Sequence, residues 1–254
     1  MPTLNFKAMV SVFDANVRVG DRRDDVSPSR NRAELLREMD RHGVEKALIY
    51  HAQGEFLSPV DGNRFLEDWL GEDGRLAPQW IMTPTAESIS QIKQLHSDGR
   101  VQAIRLYNAR GMGLPFSRWA YDTMLGWLEK EQIPLIIPLP EADANELINT
   151  LQAFPKLVTI LCGAHYSHHM WVRPLLSTLP NAYLELCRYE PLGQFEAICD
   201  EFGAGRLVYG SWYSRYAMGP ILFYTHHCGW SDDDLALICG GNLERILRGE
   251  GQRD

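Results

Sequence analysis

Short apolar runs alternate along the chain with segments whose apolar residues recur every three or four positions, and the alternation continues to the end. The runs predict eight strands: AMVSVFD (8–14), KALIYHA (46–52), LAPQWIMT (76–83), VQAIRLY (101–107), PLIIPL (134–139), LVTILCG (157–163), AYLELCR (182–188) and RLVYGSW (206–212). Helical spacing shows in RAELLREMDRHG, where Leu35, Leu36 and Met39 form a stripe and Gly43 supplies a left-handed stop. It shows again in SRWAYDTMLGWLEKE, with Ser117 as cap and Tyr121, Met124, Leu125 and Leu128 on one face. Ser231 before DDDLALICGG reads as a third cap, with acids at the positive end of the helix dipole.

Strand and helix in alternation imply a parallel sheet, because each crossover must return the chain to the same edge. Eight units in 254 residues, roughly 32 each, predict an α/β fold: a single (β/α)8 TIM barrel spanning 1–254. The alternative is an open doubly wound sheet, but no GxGxxG or GxxxxGK(S/T) follows any strand. The irregular stretch DRRDDVSPSRNR (21–32) is either a loop at the barrel mouth or a solvated charge run.

Composition narrows the classes. Twenty-five Lys+Arg against 33 Asp+Glu leave a net charge of -8, which argues against nucleic acid as a partner. No apolar run approaches the ~20 residues that cross a bilayer, and the first residues lack a signal-peptide pattern, so the expectation is a cytoplasmic protein with no membrane partner. The five cysteines are widely spaced and without a CxxC pair, which reads as reduced core thiols and excludes a zinc ribbon. The aromatic stretch LFYTHHCGW (222–230) is a candidate surface for pairing into a homo-oligomer.

In a barrel of this kind the chemistry belongs at the carboxyl ends of the strands. In chain order those ends carry Asp14, Asn16 and Arg18; His51, Gln53 and Glu55; Thr83; Arg105, Tyr107 and Asn108; Pro138, Pro140 and Glu141; Cys162, Gly163, His165, His168 and His169; Glu185, Arg188 and Glu190; and Ser211 and Trp212.

These pieces, in this order, resemble the amidohydrolase-2 branch of the amidohydrolase superfamily. FDANVRVG stands where the family has Asp-x-His-x-His-x-Gly, and LLREMDRHGVEKALIY, VQAIRLY, IPLIIP and LVTILCGAHY follow. RLVYGSWYS and GGNLERILRG stand where the family ends with Gly-Ser-Asp-Tyr-Pro and a Gly-Asn-x-x-Arg-Leu-Leu helix. The resemblance implies a (β/α)8 hydrolase with a divalent metal, yet the family's ligand positions fall on Asn16, Arg18, Pro138, Gly163 and Trp212. Arg, Pro, Gly and Trp side chains offer a metal no usable lone pair, and Arg18 brings a permanent cation that attracts an anion instead. No metal and no other cofactor is therefore expected.

The remaining candidates each carry two readings. His51 is a proton-transfer group, or a histidine hydrogen-bonded into the rim. His165 is a second acid/base, or a loop residue. Arg105 lies inside an apolar strand and must meet a carboxylate, either on a ligand or on Glu185. Glu185 orients His51, acts as a base itself, or only neutralises an arginine. Arg18, Arg105 and Arg188 suit a carboxylate or phosphate, while Trp212 and Tyr107 suit a ring.

The leading expectation is a metal-independent enzyme acting on a small anionic or sugar-like metabolite by hydrolysis, such as lactone opening, or by elimination. Catalysis falls to His51, Glu185 and His165, with Asn16, Arg18, Arg105, Tyr107, Arg188 and Trp212 binding the substrate. A second reading is a non-catalytic barrel that binds a ligand or partner; a third is a hydrolase whose metal has moved to His51, His165 and Glu185. A mouth closed by Trp212 favours the second, and an open pocket lined by His51, Arg105 and Glu185 favours the first.

Overall fold

A computed structural model describes residues 6–22, 25–72, 74–107 and 110–250; Asn108 and part of the 21–32 loop lie outside them. The strands are β1 (Phe13–Val19), β2 (Lys46–His51), β3 (Leu76–Met82), β4 (Ala103–Leu106), β5 (Leu135–Pro138), β6 (Thr159–Cys162), β7 (Ala182–Glu185) and β8 (Leu207–Val208). They form one eight-stranded sheet in the order of the chain, and every neighbouring pair is parallel. Between β8 and β1 the barrel is drawn together by the Ala15 amide, which donates to Tyr209 O at 3.1 Å, and by a parallel bridge between Val17 and Tyr213. With helices between the strands, this is the (β/α)8 TIM barrel that the alternation predicts.

The first strand differs from its expected span of 8–14. Regular pairing starts at Phe13 and runs to Val19, through Asp14, Asn16 and Arg18, all of them buried. Those polar side chains end the apolar run in the sequence without ending the strand. A register shift between Asp14 and Val17 marks a bulge in this segment. The eighth strand is shorter than expected, because Tyr209 donates its amide to Ile238 O and the chain then leaves the sheet toward Trp212.

The helix Arg32–His42 is capped by Asn31 and stops at Gly43 in the left-handed region. Arg118–Lys130 buries Tyr121, Met124, Leu125 and Leu128 as its stripe requires, but the Ser117 side chain makes no capping hydrogen bond. Ser231 does cap, accepting from Asp234 N. Among the described residues no helix is long and apolar enough to cross a membrane. The 222–230 stretch is partly covered by the chain's own beginning, since Phe6 packs edge-on against Phe223 and His226.

Period-two alternation sorts the strand residues into two cores. Outward residues such as Ala47, Ile49, Trp80 and Leu161 pack under the helices. Inward residues Leu48, Ala77, Ala103, Ile136, Ile160, Tyr183 and Val208 fill the lower lumen, together with Leu243 and Ile246 from the last helix. Two residues further along, the inward positions turn polar: Gln79, Arg105, Cys162 and Glu185.

Candidate active site

Arg105 is 1% exposed, so its charge has to be answered inside the protein. Its Nη1 donates to Gln79 Oε1 (2.9 Å) and Asn16 Oδ1 (3.3 Å), and its Nη2 meets Glu55 Oε1 at 3.4 Å. The guanidinium also stacks 3.9 Å from the Tyr50 ring centroid. The internal partner is thus Glu55, and the Arg105–Glu185 salt bridge offered by the sequence does not form. Asn16 stands between those two, its Nδ2 donating to Glu185 Oε2 (3.4 Å). Glu185 also accepts from the Gly163 and Cys187 amides, both at 2.9 Å. Burial raises its pKa above the usual range, and these hydrogen bonds oppose the rise.

Above this layer lies Trp212, which is 2% exposed with its backbone in the left-handed region (φ 51). Its indole Nε1 donates to Tyr50 Oη at 2.9 Å, and Tyr50 in turn donates to Glu55 Oε1 at 3.4 Å. The indole fills the space beside β6: a Cβ added to Gly163 would lie 2.3 Å from Trp212 Cζ3. Glycine at 163 is therefore required twice, by its own φ of 69° and by the ring. Arg105, Asn16 and Glu185 lie buried in this closed apex.

The other expected site residues are dispersed around the rim. His51 caps the helix Ala52–Phe56, its Nδ1 accepting from Gln53 N at 3.3 Å, and its ring lies against Phe65 and the backbone of Gly20. Burial lowers its pKa, against the pull of Asp21 and Asp68. Its hydrogen bonds do not include Glu185, so the two do not form a catalytic pair in this geometry. His165 is half-exposed, bonded through Nδ1 to Ser167 Oγ at 3.3 Å. Arg18 is paired with Asp25 and reaches Ser214 Oγ at 3.4 Å. Arg188 lies over the Tyr216 ring. His51, His165 and Glu185 hold no common metal position: among the described residues no three His, Cys, Asp or Glu side chains converge to hold one.

Two carboxyls to which the sequence assigned no role face the mouth. Glu55 is nearly buried and meets Arg22 at 3.8 Å as well as Arg105. Glu141, in the turn after β5, has its pKa raised to about 7 by burial and by the repulsion of Glu55, against the attraction of Arg105, Arg22 and Arg215. Loops after four different strands thus bring two acids and their cations together. Glu141 borders a narrow cleft with Tyr107, Leu114, Phe116 and Pro138, whose free space of about 20 Å³ is room for no more than a single water. Both acids stand among the strand-end residues, and that position was the only signal for them in the sequence.

Comparison with known proteins places this geometry. No curated protein matches the sequence. Similar solved structures include an uncharacterized TIM-barrel protein from Bordetella bronchiseptica, with TM-score 0.74 and 15% identity over 95% of this chain and 99% of that one. Another is 5-carboxyvanillate decarboxylase from Sphingomonas paucimobilis, with TM-score 0.71 and 16% identity over 94% of this chain and 99% of that one. A third is a dihydroxybenzoic acid decarboxylase from Polaromonas sp. JS666 with bound manganese and the inhibitor 2-nitroresorcinol, with TM-score 0.71 and 13% identity over 94% and 97%. At these identities the likeness speaks for the fold alone. The amidohydrolase family model matches residues 29–249, nearly the whole barrel, and the chain belongs to the amidohydrolase family.

Proposed function

We propose that this protein is a lyase that decarboxylates a small carboxylated aromatic metabolite, using Glu141 as its acid and no metal at the family position. The observation that carries the reading is Glu141 itself: a carboxyl titrating at about 7, on an apolar cleft, facing Arg22, Arg105 and Arg215. Structural neighbours named as decarboxylases of such acids support the substrate class.

The residues at the family's ligand positions do not fit a divalent metal. Asn16 has both amide atoms engaged, Arg18 is a cation, Pro138 and Gly163 have no donor, and Trp212 occupies the space beside them. The chemistry left to the chain is proton transfer. The ring rests on Tyr107, Phe116 and Pro138, and the carboxylate faces the rim arginines. Glu141 gives its proton to the ring carbon that bears the carboxylate. The C–C bond to that carboxylate then breaks, its electron pair returns to the ring, carbon dioxide leaves, and the Glu141 carboxylate recovers a proton from water. The cleft must widen to admit a ring, and the turns Arg110–Met112 and Leu139–Glu141 border it. In this reading Glu141 takes the role that the sequence suggested for His51 and Glu185, which hold the rim and the apex.

The test is turnover of a panel of hydroxylated benzoates by chelator-treated protein, followed by loss of substrate absorbance. Glu141→Gln should lower kcat by about 100-fold or more. Equal turnover in the variant, or turnover that appears only when a divalent metal is added, refutes the reading. One observation favours a second reading, a non-catalytic binding barrel: the apex is closed by Trp212, with Arg105 and Glu185 sealed inside it. Saturable binding of a panel member without turnover would select it.

A further inference from the structure

Arginines in this protein are paired with care. Arg18 meets Asp25, Arg22 and Arg105 meet Glu55, Arg173 meets Glu201, and Arg206 spends its donors on the carbonyls of Leu176, Leu179 and Ala182. Arg188 and Arg215 form no ion pair among the described residues, although Glu141 attracts Arg215 at longer range; each stands near the Tyr216 ring, at 5.1 and 5.9 Å from its centroid. Arg215 also lies 5.1 Å from the Trp212 ring, and the Nε of Arg188 is buried with no hydrogen-bond acceptor. Arg188 and His168 repel each other, so that side of the seat adds no counter-charge.

We infer that Arg188, Arg215 and Tyr216 form a seat for an oxyanion, a carboxylate or phosphate group of a ligand. Two guanidiniums stand 5.1 and 5.9 Å from the centroid of one ring, and a planar fork binds either group bidentately. The unmet Nε donor of Arg188 is the kind of buried polar atom that an acceptor satisfies. Position agrees: Arg188 follows β7 and Arg215 follows β8, the two loops that build phosphate sites in barrels of this kind. Carboxylates are plentiful in a chain of net charge -8, and those nearest Arg215, among them Glu141, Glu34 and Glu38, form no ion pair with it. The seat goes beyond the lyase reading and does not need it, because a binding barrel would use it equally.

The experiment titrates inorganic phosphate and, separately, benzoate into the full chain at ionic strength held constant with sodium chloride, read by calorimetry and by tryptophan and tyrosine fluorescence. Saturable binding of either anion is expected, weakened at least about tenfold in Arg215→Gln and in Arg188→Gln, and unchanged in Arg118→Gln, whose guanidinium is paired with Asp122 on a distant helix. Arg215 is exposed, so its variant reports on the seat without disturbing the core. Preference for phosphate marks a phosphorylated ligand, and preference for benzoate marks an acidic substrate; both support the seat. No saturable binding of either anion to the wild-type protein, or binding that survives in both variants, overturns it. Loss of turnover in Glu141→Gln with phosphate binding intact separates this inference from the lyase reading.

Discussion

The closed apex rests on a claim about two residues, and a double-mutant cycle tests it. Gly163→Ala adds a Cβ at φ 69°, where an L residue costs roughly 1–2 kcal/mol. The same atom would lie 2.3, 2.9 and 3.0 Å from three carbons of the Trp212 ring, a clash with a buried, hydrogen-bonded indole that should add about 1–3 kcal/mol. The single variant should therefore lose about 2–5 kcal/mol in urea unfolding. Trp212→Ala alone should lose about 3–5 kcal/mol, since it empties a volume lined by Gly163, Tyr50 and Arg215. In that background the added methyl has no ring to meet, and only the backbone cost remains. The coupling between the two sites should thus be about 1–3 kcal/mol, with the double variant more stable than the sum of the singles predicts. If Gly163→Ala costs the same with and without Trp212, the indole does not fill the strand 6 position.

Other outcomes follow from the same contacts. On the lyase reading, kcat/KM of the wild-type protein should fall as pH rises through about 7, because the proposed donor is the protonated form of Glu141; Glu141→Gln should lack that limb in a pH–rate profile. Arg105→Met should cost about 3–5 kcal/mol in thermal or urea unfolding, because Glu55, Gln79 and Asn16 lose their common donor, and adding Glu55→Gln should return part of it. Asp14 is fully buried and its pKa is raised from 3.8 to about 7, so the folded state keeps a proton that the unfolded chain releases. The contribution of Asp14 to stability should be greatest below pH 4 and decline as pH rises toward 7, by on the order of 4 kcal/mol. Asp14→Asn keeps an acceptor for the Asn16 and Ser211 amides, and the difference between urea midpoints at pH 5 and pH 8 should be smaller than in the wild type.

The number and order of the strands were legible because each pairs an apolar run with a turn signal. The span of β1 was not, since Asp14, Asn16 and Arg18 break the apolar run while remaining in the strand. That Arg105 needs a carboxylate, on the protein or on a ligand, followed from a charge within an apolar strand. Which acid would serve depended on how the loop after β2 folds back, and that placed Glu55 there and not Glu185. Glu141 was hidden for a related reason. Its raised pKa comes from burial and from Glu55, a residue 86 positions earlier in the chain by the numbering, and no local pattern encodes that approach.

Taken singly, Asn16, Arg18, Pro138, Gly163 and Trp212, where the sequence resemblance sets the family's ligands, would look like decay. Their contacts argue otherwise. Gly163 makes the room that Trp212 fills, Trp212 is fixed by Tyr50, Tyr50 bonds to Glu55, and Glu55 answers Arg105, which Asn16 links to Glu185. Loss without compensation would leave a gap at the indole's place and an unanswered charge at Arg105. On the proposed reading the labour of the molecule is divided: the residues of the apex carry stability, and the charges at the rim carry recognition. Glu141→Gln and Arg215→Gln should accordingly leave unfolding midpoints almost unchanged while altering turnover and anion binding. Trp212→Ala should do the reverse, losing stability first. A Trp212→Ala protein that gained turnover in proportion to its newly opened cavity would show that the buried arginine and carboxylates below still constitute the working site.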